Sequence, residues 1–193
     1  MGIEIELKYR ATPEQQRSVL KACGGIPRTI SMETIYYDTP DRQLSAQKIT
    51  LRRRLENGVS VCTLKTPGEK DARGEWDCLC DSIEAAIPEL CKLANRTDLL
   101  ELLEAGVVPV CSARFIRQAA DIETADFTAE LALDNGVLLG GSREIPLCEI
   151  ELELKSGDPE AMREYMQLLS ACYGLVPEKK SKFRRAMDLA EGV

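Results

Sequence analysis

Ile3-Glu4-Ile5-Glu6-Leu7-Lys8-Tyr9-Arg10 alternates apolar and charged residues without a break, which is the two-residue period of a β-strand. One face carries Ile3, Ile5, Leu7 and Tyr9; the other carries Glu4, Glu6, Lys8 and Arg10. A lone strand of this kind reads as half-buried, with its charged face in water. The pattern returns, however, as Cys148-Glu149-Ile150-Glu151-Leu152-Glu153-Leu154-Lys155, again with carboxylates on one face. Between the two lie Leu51-Arg52-Arg53-Arg54 and Leu64-Lys65, so strands with cationic faces separate strands with anionic faces. A barrel with all these faces turned inward gathers carboxylates and cations into one cavity. Such a cavity suits a polyphosphate and its divalent metal.

At 193 residues the chain is long enough for one domain with a sizeable core. Its apolar content of 44% is globular, and no apolar run approaches a membrane span, so no membrane partner is expected. The first residues enter a strand pattern at once, which leaves no room for a signal peptide and makes the cytoplasm the expected location. A formal charge of −7 disfavours nonspecific nucleic-acid binding, which rewards a basic surface. A small anionic ligand needs only a local cationic pocket. The eight cysteines are scattered apart from Cys78-Leu79-Cys80, a spacing that fits neither a zinc site nor a disulfide framework, and they read as buried thiols. There is no histidine, which removes Ser-His and Cys-His catalysis and histidine-ligated zinc. Carboxylates and hard metals remain.

Along the chain, Thr12-Pro13 opens a short helix that Gly24-Gly25 ends. A strand over 29–37 closes at the turn residues Asp38 to Asp41. Asn57-Gly58 is a two-residue hairpin signal between strands over 48–56 and 59–66. On the first of these Lys48, Thr50, Arg52 and Arg54 share a face, while Arg53 falls on the other with Leu51 and Leu55. A loop over 67–71 precedes a strand over 72–80, in which Arg73, Glu75 and Asp77 alternate with Gly74, Trp76 and Cys78. Residues 82–106 switch to helical periodicity, an insertion expected to pack outside the barrel. Strands over 108–119 and 126–134 follow, and Asn135-Gly136 reads as a second hairpin signal leading to the acidic strand at 148–155. Gly157-Asp158-Pro159 opens a helix through Cys172, and 178–185 is a basic helical stretch. About eight strands joined largely by hairpins, with helices between and after, predict a single α+β domain over 1–193: an antiparallel β-barrel with surrounding helices.

Glu4-Ile5-Glu6-Leu7-Lys8 resembles the ExExK signature of the CYTH superfamily, the triphosphate tunnel metalloenzymes. Tyr36-Tyr37-Asp38-Thr39-Pro40, Leu51-Arg52-Arg53-Arg54, Thr63-Leu64-Lys65-Thr66-Pro67-Gly68, Arg73-Gly74-Glu75-Trp76 and Glu149-Ile150-Glu151 resemble successive family motifs in family order. The resemblance covers almost the whole chain and implies an eight-stranded antiparallel tunnel with helices outside. It implies Mg²⁺ or Mn²⁺ held by Glu4, Glu6, Asp134, Glu149 and Glu151, with Glu130 and Glu153 ranked lower, at the tunnel mouth. Hard cations of this kind take oxygen ligands and share them with phosphate. Arg52 and Arg54, two apart on one strand, suit bidentate phosphate contact, and Lys8 and Lys65 add point charges from other strands. Arg73 and Arg114 complete the expected ring, with Arg117 as the alternative to Arg114 in a different register. Ser112 stands where many members carry the lysine of a Lys-x-Arg pair. Lys182 lies in a segment resembling the family's C-terminal Ser-Lys-Tyr, with Phe183 in place of tyrosine, and is a further candidate ligand.

The resemblance implies metal-dependent hydrolysis of a short triphosphate, with inorganic tripolyphosphate as the leading substrate. Glu4, Glu6, Lys8, Arg52, Arg54 and Lys65 form the expected catalytic set. Thiamine triphosphatase, class IV adenylate cyclase and a noncatalytic polyphosphate- or nucleotide-binding domain are the rivals. Both acidic motifs are intact, which favours catalysis over binding alone. An aromatic content of 5% tilts the reading away from a nucleotide. The oligomeric state is left open, with a homodimer as one outcome.

Overall fold

The computed structural model describes residues 2–68, 72–103 and 105–192. Residues 69–71 of the loop expected over 67–71 lie outside them. Eight strands close into an antiparallel barrel: β1 (Gly2–Arg10), β2 (Arg28–Asp38), β3 (Thr50–Glu56), β4 (Val59–Thr66), β5 (Ala72–Leu79), β6 (Val108–Glu123), β7 (Phe127–Gly140) and β8 (Arg143–Gly157). Their order around the ring is β5-β4-β3-β2-β6-β7-β8-β1. β1 closes it by serving two neighbours: Gly2–Ile5 pair with β5, and Glu6–Arg10 pair with β8. A two-residue strand, β9 (Val176–Pro177), adds to β1 at Tyr9 and Arg10.

Strand alternation sorts the side chains as their chemistry demands. Leu131, Leu133, Ile150 and Leu152 face outward beneath α1 (Pro13–Cys23) and α5 (Pro159–Tyr173), with Val19, Met162 and Met166 in the same cluster. On the opposite wall Leu51, Cys62 and Leu64 are covered by α3 (Ile83–Leu93) and α4 (Asp98–Leu103), as the helical reading of 82–106 expects. The intervening residues of the same strands point into the barrel. Burial of the apolar faces beneath helices therefore leaves a charged lumen. α1 starts with a reciprocal capping box between Thr12 and Gln15 and ends at Gly24 in the left-handed region. Among the described residues no helix is long and apolar enough to cross a membrane.

Four local expectations change. Asn57 and Gly58 do form the tight β3–β4 turn, with φ of 49° and 87°. Asn135-Gly136 forms no turn: β7 runs straight through it, and the chain reverses at Gly141-Ser142. Gly136 is small because a Cβ there would lie 2.1 Å from the Arg114 carbonyl oxygen and 2.6 Å from Phe115 Cβ. Lys48 precedes β3 in a left-handed conformation (φ 59°) and is exposed, so it does not share the Arg52 face. The basic C-terminal stretch becomes helical only from Lys182, in α6 (Lys182–Glu191), with Ser181 as N-cap. α6 does not lie on the outside. Its Phe183, Ala186 and Met187 pack with Met32, Tyr36, Phe115, Leu138 and Leu147, plugging one end of the barrel. The remaining short helix, α2 (Gln43–Ala46), hangs on Asp38, a buried carboxylate accepting from the backbone N–H groups of Thr39, Leu44 and Ser45 at 2.8–3.0 Å.

Candidate active site

The lumen holds a cavity of about 530 Å³, and a second of about 400 Å³ at the other end shares Arg52, Arg54, Glu75, Arg117 and Glu153 with it. The two thus adjoin within one lumen, a tunnel that α6 closes at one end. The larger cavity is lined by the cations Lys8, Arg52, Arg54, Lys65, Arg73, Arg117, Lys179 and Lys182, against the carboxylates Glu4, Glu6, Glu75, Glu151, Glu153 and Glu178. An acidic chain therefore lines this cavity with more cations than anions.

Arg52 and Arg54 reach the lumen from β3, opposite Tyr36 and Thr34 of β2. Arg52 donates to Glu75 at 3.1 Å, and its Nε is buried with no hydrogen-bond partner. Arg54 donates to Thr34 Oγ1 and Glu56 at 3.3 Å. Burial, together with the nearby Arg52 and Arg117, pushes the Arg54 guanidinium below its ordinary range. Three like charges this crowded are arranged for a polyanion. Lys65 donates to Glu4 at 2.6 Å and sits 3.1 Å from Glu75. Burial pushes the Glu4 carboxyl up to about 7; Lys65 opposes the shift, and Glu6 and Glu75 add to it. Burial works on Glu75 in the same sense, yet Lys65 and Arg52 hold that carboxyl well below the usual range. Glu6 bonds Lys8 at 3.3 Å.

The second half of the site lies on β7 and β8. Asp134, Glu149 and Glu151 are all buried, and each offers an oxygen within 4.8 Å of the others. Asp134 pairs in register with Glu149, and strand alternation places Glu151 beside them on the same face. Arg117 donates to Asp134 at 2.8 and 2.7 Å and to Glu151 at 2.6 Å. Lys182 reaches the same carboxylates from α6: 2.8 Å to Asp134, 2.6 Å to Glu151, and in contact with Glu149. From outside the barrel, the buried amide of Gln16 donates to the main-chain carbonyls of Asp134 at 3.2 Å and Glu149 at 2.8 Å. It holds the two strands from which all three carboxylates project.

Most of the expected residues meet in this lumen, with differences of register and grouping. Arg117 points inward, while Arg114 is exposed on the outer face, because positions three apart on a strand face opposite ways. Arg73 lines the mouth and is itself exposed. Glu130 and Glu153 line the far cavity, where Arg28 bonds Glu130. Glu4 and Glu6 line the lumen but hold lysines rather than joining the carboxylate trio. Glu75 and Gln16 are additional. The face that Glu75 shares with Arg73, two residues earlier on the strand, is a signal for the former, whereas Gln16 looks like any polar residue of an amphipathic helix.

The trio fits a hard divalent cation: three oxygen donors converge, and the buried Oε1 of Glu149 lacks a properly directed hydrogen bond although the Lys182 ammonium touches it. The sequence profile of the CYTH domain matches residues 2–187. The chain belongs to the CYTH family. Over 174 residues it is 30% identical to an inorganic triphosphatase of Haemophilus influenzae, a match that takes in 86% of this chain and 49% of that protein. The chain thus spans about half the length of this curated relative. A Bacillus halodurans protein described as an adenylate cyclase superposes with a TM-score of 0.66 at 22% identity, covering 96% of this chain and 98% of that one. A Hippeastrum protein described as an adenylyl cyclase with a dominant triphosphatase activity superposes at 0.64 and 18% identity, covering 100% and 96%. These two likenesses establish the CYTH barrel as the shared fold.

Proposed function

We propose that this CYTH chain hydrolyses a short triphosphate, inorganic tripolyphosphate foremost, with Mg²⁺ or Mn²⁺ held by Asp134, Glu149 and Glu151 and with Glu4 and Glu6 facing the same space. The observation that carries the reading is the crowding of Arg52, Arg54 and Arg117 around one lumen, with a buried Arg52 Nε left without an acceptor. A chain of phosphates supplies several acceptors at that spacing, and guanidinium forks bind them bidentately. The H. influenzae relative named as an inorganic triphosphatase supports the same direction.

Arg52, Arg54, Lys65 and Lys8 would hold the phosphates in line and stabilise charge as it develops on the departing phosphate. Glu75 holds Arg52 and Lys65 in place while the lumen is free of substrate. A divalent metal, when bound, would polarise the phosphates and favour an attacking hydroxide. The aromatic rings near the cavity argue for an inorganic substrate. Tyr36 and Phe183, which line it, pack on each other at 5.2 Å between centroids and are almost wholly buried, which leaves little ring surface for a base. Phosphate release is measured across tripolyphosphate, ATP and thiamine triphosphate, each with Mg²⁺, Mn²⁺ or excess EDTA. The expected result is metal-dependent release, fastest with tripolyphosphate. Full release in EDTA, or a cyclic product from ATP as the main activity, overturns the proposal.

A further inference from the structure

Lys182 stands where a metal would stand. Its ammonium lies 2.8 Å from Asp134 Oδ2 and 2.6 Å from Glu151 Oε1, and it touches Glu149 Oε1. The other oxygens of the trio are engaged elsewhere: Arg117 takes Asp134 Oδ1 and Glu151 Oε2, and Arg185 takes Glu149 Oε2, while Arg117 also shares Asp134 Oδ2 with Lys182, at 2.7 Å. The oxygens turned toward a common point are the three that Lys182 contacts. Three carboxylates are balanced by three cations, Arg117, Lys182 and Arg185. A divalent ion added with Lys182 still seated would leave the buried cluster two charges in excess, which burial penalises heavily. With Lys182 gone the excess is one, and an incoming phosphate offsets it.

The fit of the ammonium is also imperfect, since Glu149 Oε1 receives no directed hydrogen bond. A spherical ion makes no such directional demand and draws oxygens closer, to about 2.0–2.1 Å for Mg²⁺. Lys182 has somewhere to go. It already lines the tunnel cavity, and its flexible four-carbon stem can swing the ammonium while Phe183, Ala186 and Met187 keep α6 anchored. We infer that Lys182 and a divalent metal are alternative occupants of the Asp134–Glu149–Glu151 trio, metal entry expelling the ammonium into the tunnel as a further phosphate-binding cation. Metal and triphosphate then bind cooperatively, because the metal both fills the trio and delivers a cation to the substrate. The inference rests on the reading above only in placing a metal at the trio.

Two measurements made without substrate test it. In the first, the wild-type protein is labelled by reductive methylation of lysines, in EDTA and in Mg²⁺, and each site is followed by mass spectrometry. Lys92, exposed on α3, is the internal reference. Lys182 is expected to label slowly in EDTA and about tenfold faster in Mg²⁺, the scale of a change that frees a buried group. A Lys182 rate that is unchanged or lowered by Mg²⁺, relative to Lys92, overturns the inference. In the second, calorimetry compares Mg²⁺ and Mn²⁺ binding to the wild type and to Lys182→Met. Removing the competitor is expected to tighten metal binding about tenfold. Unchanged or weaker binding by a folded variant, or no binding by either protein, overturns it. If Lys182→Met does not fold, the wild-type labelling decides. Phosphate release is read in neither arm, so a failure of the triphosphatase proposal shows up separately in its own assay.

Discussion

Arg52, Arg53 and Arg54 are consecutive, yet strand alternation gives them different surroundings. Arg52 and Arg54 line the tunnel, whereas Arg53 donates to Ser60 Oγ at 3.0 Å and is absent from the cavity wall. Arg52→Ala or Arg54→Ala removes a donor whose bonds tighten as charge develops, so kcat/KM is expected to fall by the equivalent of about 2–4 kcal/mol. Arg53→Ala should leave the kinetics nearly intact and at most lower the thermal midpoint. Steady-state kinetics on the three variants, with their midpoints as a folding control, make the comparison; equal losses at all three positions would refute the assignment. The same logic separates Arg117 from Arg114, and here the sequence left the choice open. Both lie on one strand, and only the position of the inward face decides between them. That face is set by the pairing of Arg117 with Asp134, seventeen residues away. Loss of activity is expected for Arg117→Ala and near wild-type activity for Arg114→Ala.

At the scale of elements, two glycine-containing dipeptides with the same local signal have opposite fates. Asn57-Gly58 turns, and Asn135-Gly136 lies in mid-strand with Phe115 against it. Gly136→Ala should therefore act as overpacking and cost about 1–3 kcal/mol, read as a lower urea midpoint at unchanged slope. A neutral substitution would mean that β6 and β7 are less closely apposed there. Strand type and face were legible wherever alternation was strict, as over 3–10 and 148–155, because a period of two leaves one assignment of faces. The helices over 13–23 and 159–173 were legible from their caps. The placement of α6 was not. A basic amphipathic segment fits either an outer surface or a charged lumen, and only the apolar contacts of Phe183, Ala186 and Met187 with the inward faces of β2, β6 and β7 decide. The carboxylates of the trio could be named from the chain, but the clamp that Gln16 places on their strands, and the lysine at their centre, are products of tertiary packing.

Across the whole molecule the barrel is closed, since among the described residues each of its eight strands is bonded to a neighbour on either side over at least part of its length. Opening should then be largely cooperative, and the thiols report on it. Cys62 and Cys91 lie in the cluster under α3 and α4, and Cys111 lies in the α6 plug, where its thiol faces the Phe183 carbonyl. Burial pushes the Cys62 and Cys111 thiols up to about 12, with Cys78 and Cys80 adding to the shift at Cys62. A higher thiol pKa means less thiolate. At pH 8 the reactive form is then roughly one part in ten thousand at either site. Exposed Cys172 is expected to react with a disulfide reagent at once. Cys62, Cys91 and Cys111 should react only as fast as the molecule unfolds, all three at one rate that follows denaturant concentration along the global unfolding limb. The informative comparison is Cys111 against Cys62. The two share the direction and size of their pKa shift but sit in different clusters, so intrinsic reactivity cancels and only the opening of each cluster remains. Labelling of Cys111 well ahead of Cys62 would show that α6 leaves the barrel on its own, and the cooperative picture would be wrong. Equal rates would mean that the plug, the carboxylates it covers and the tunnel wall open together as one unit.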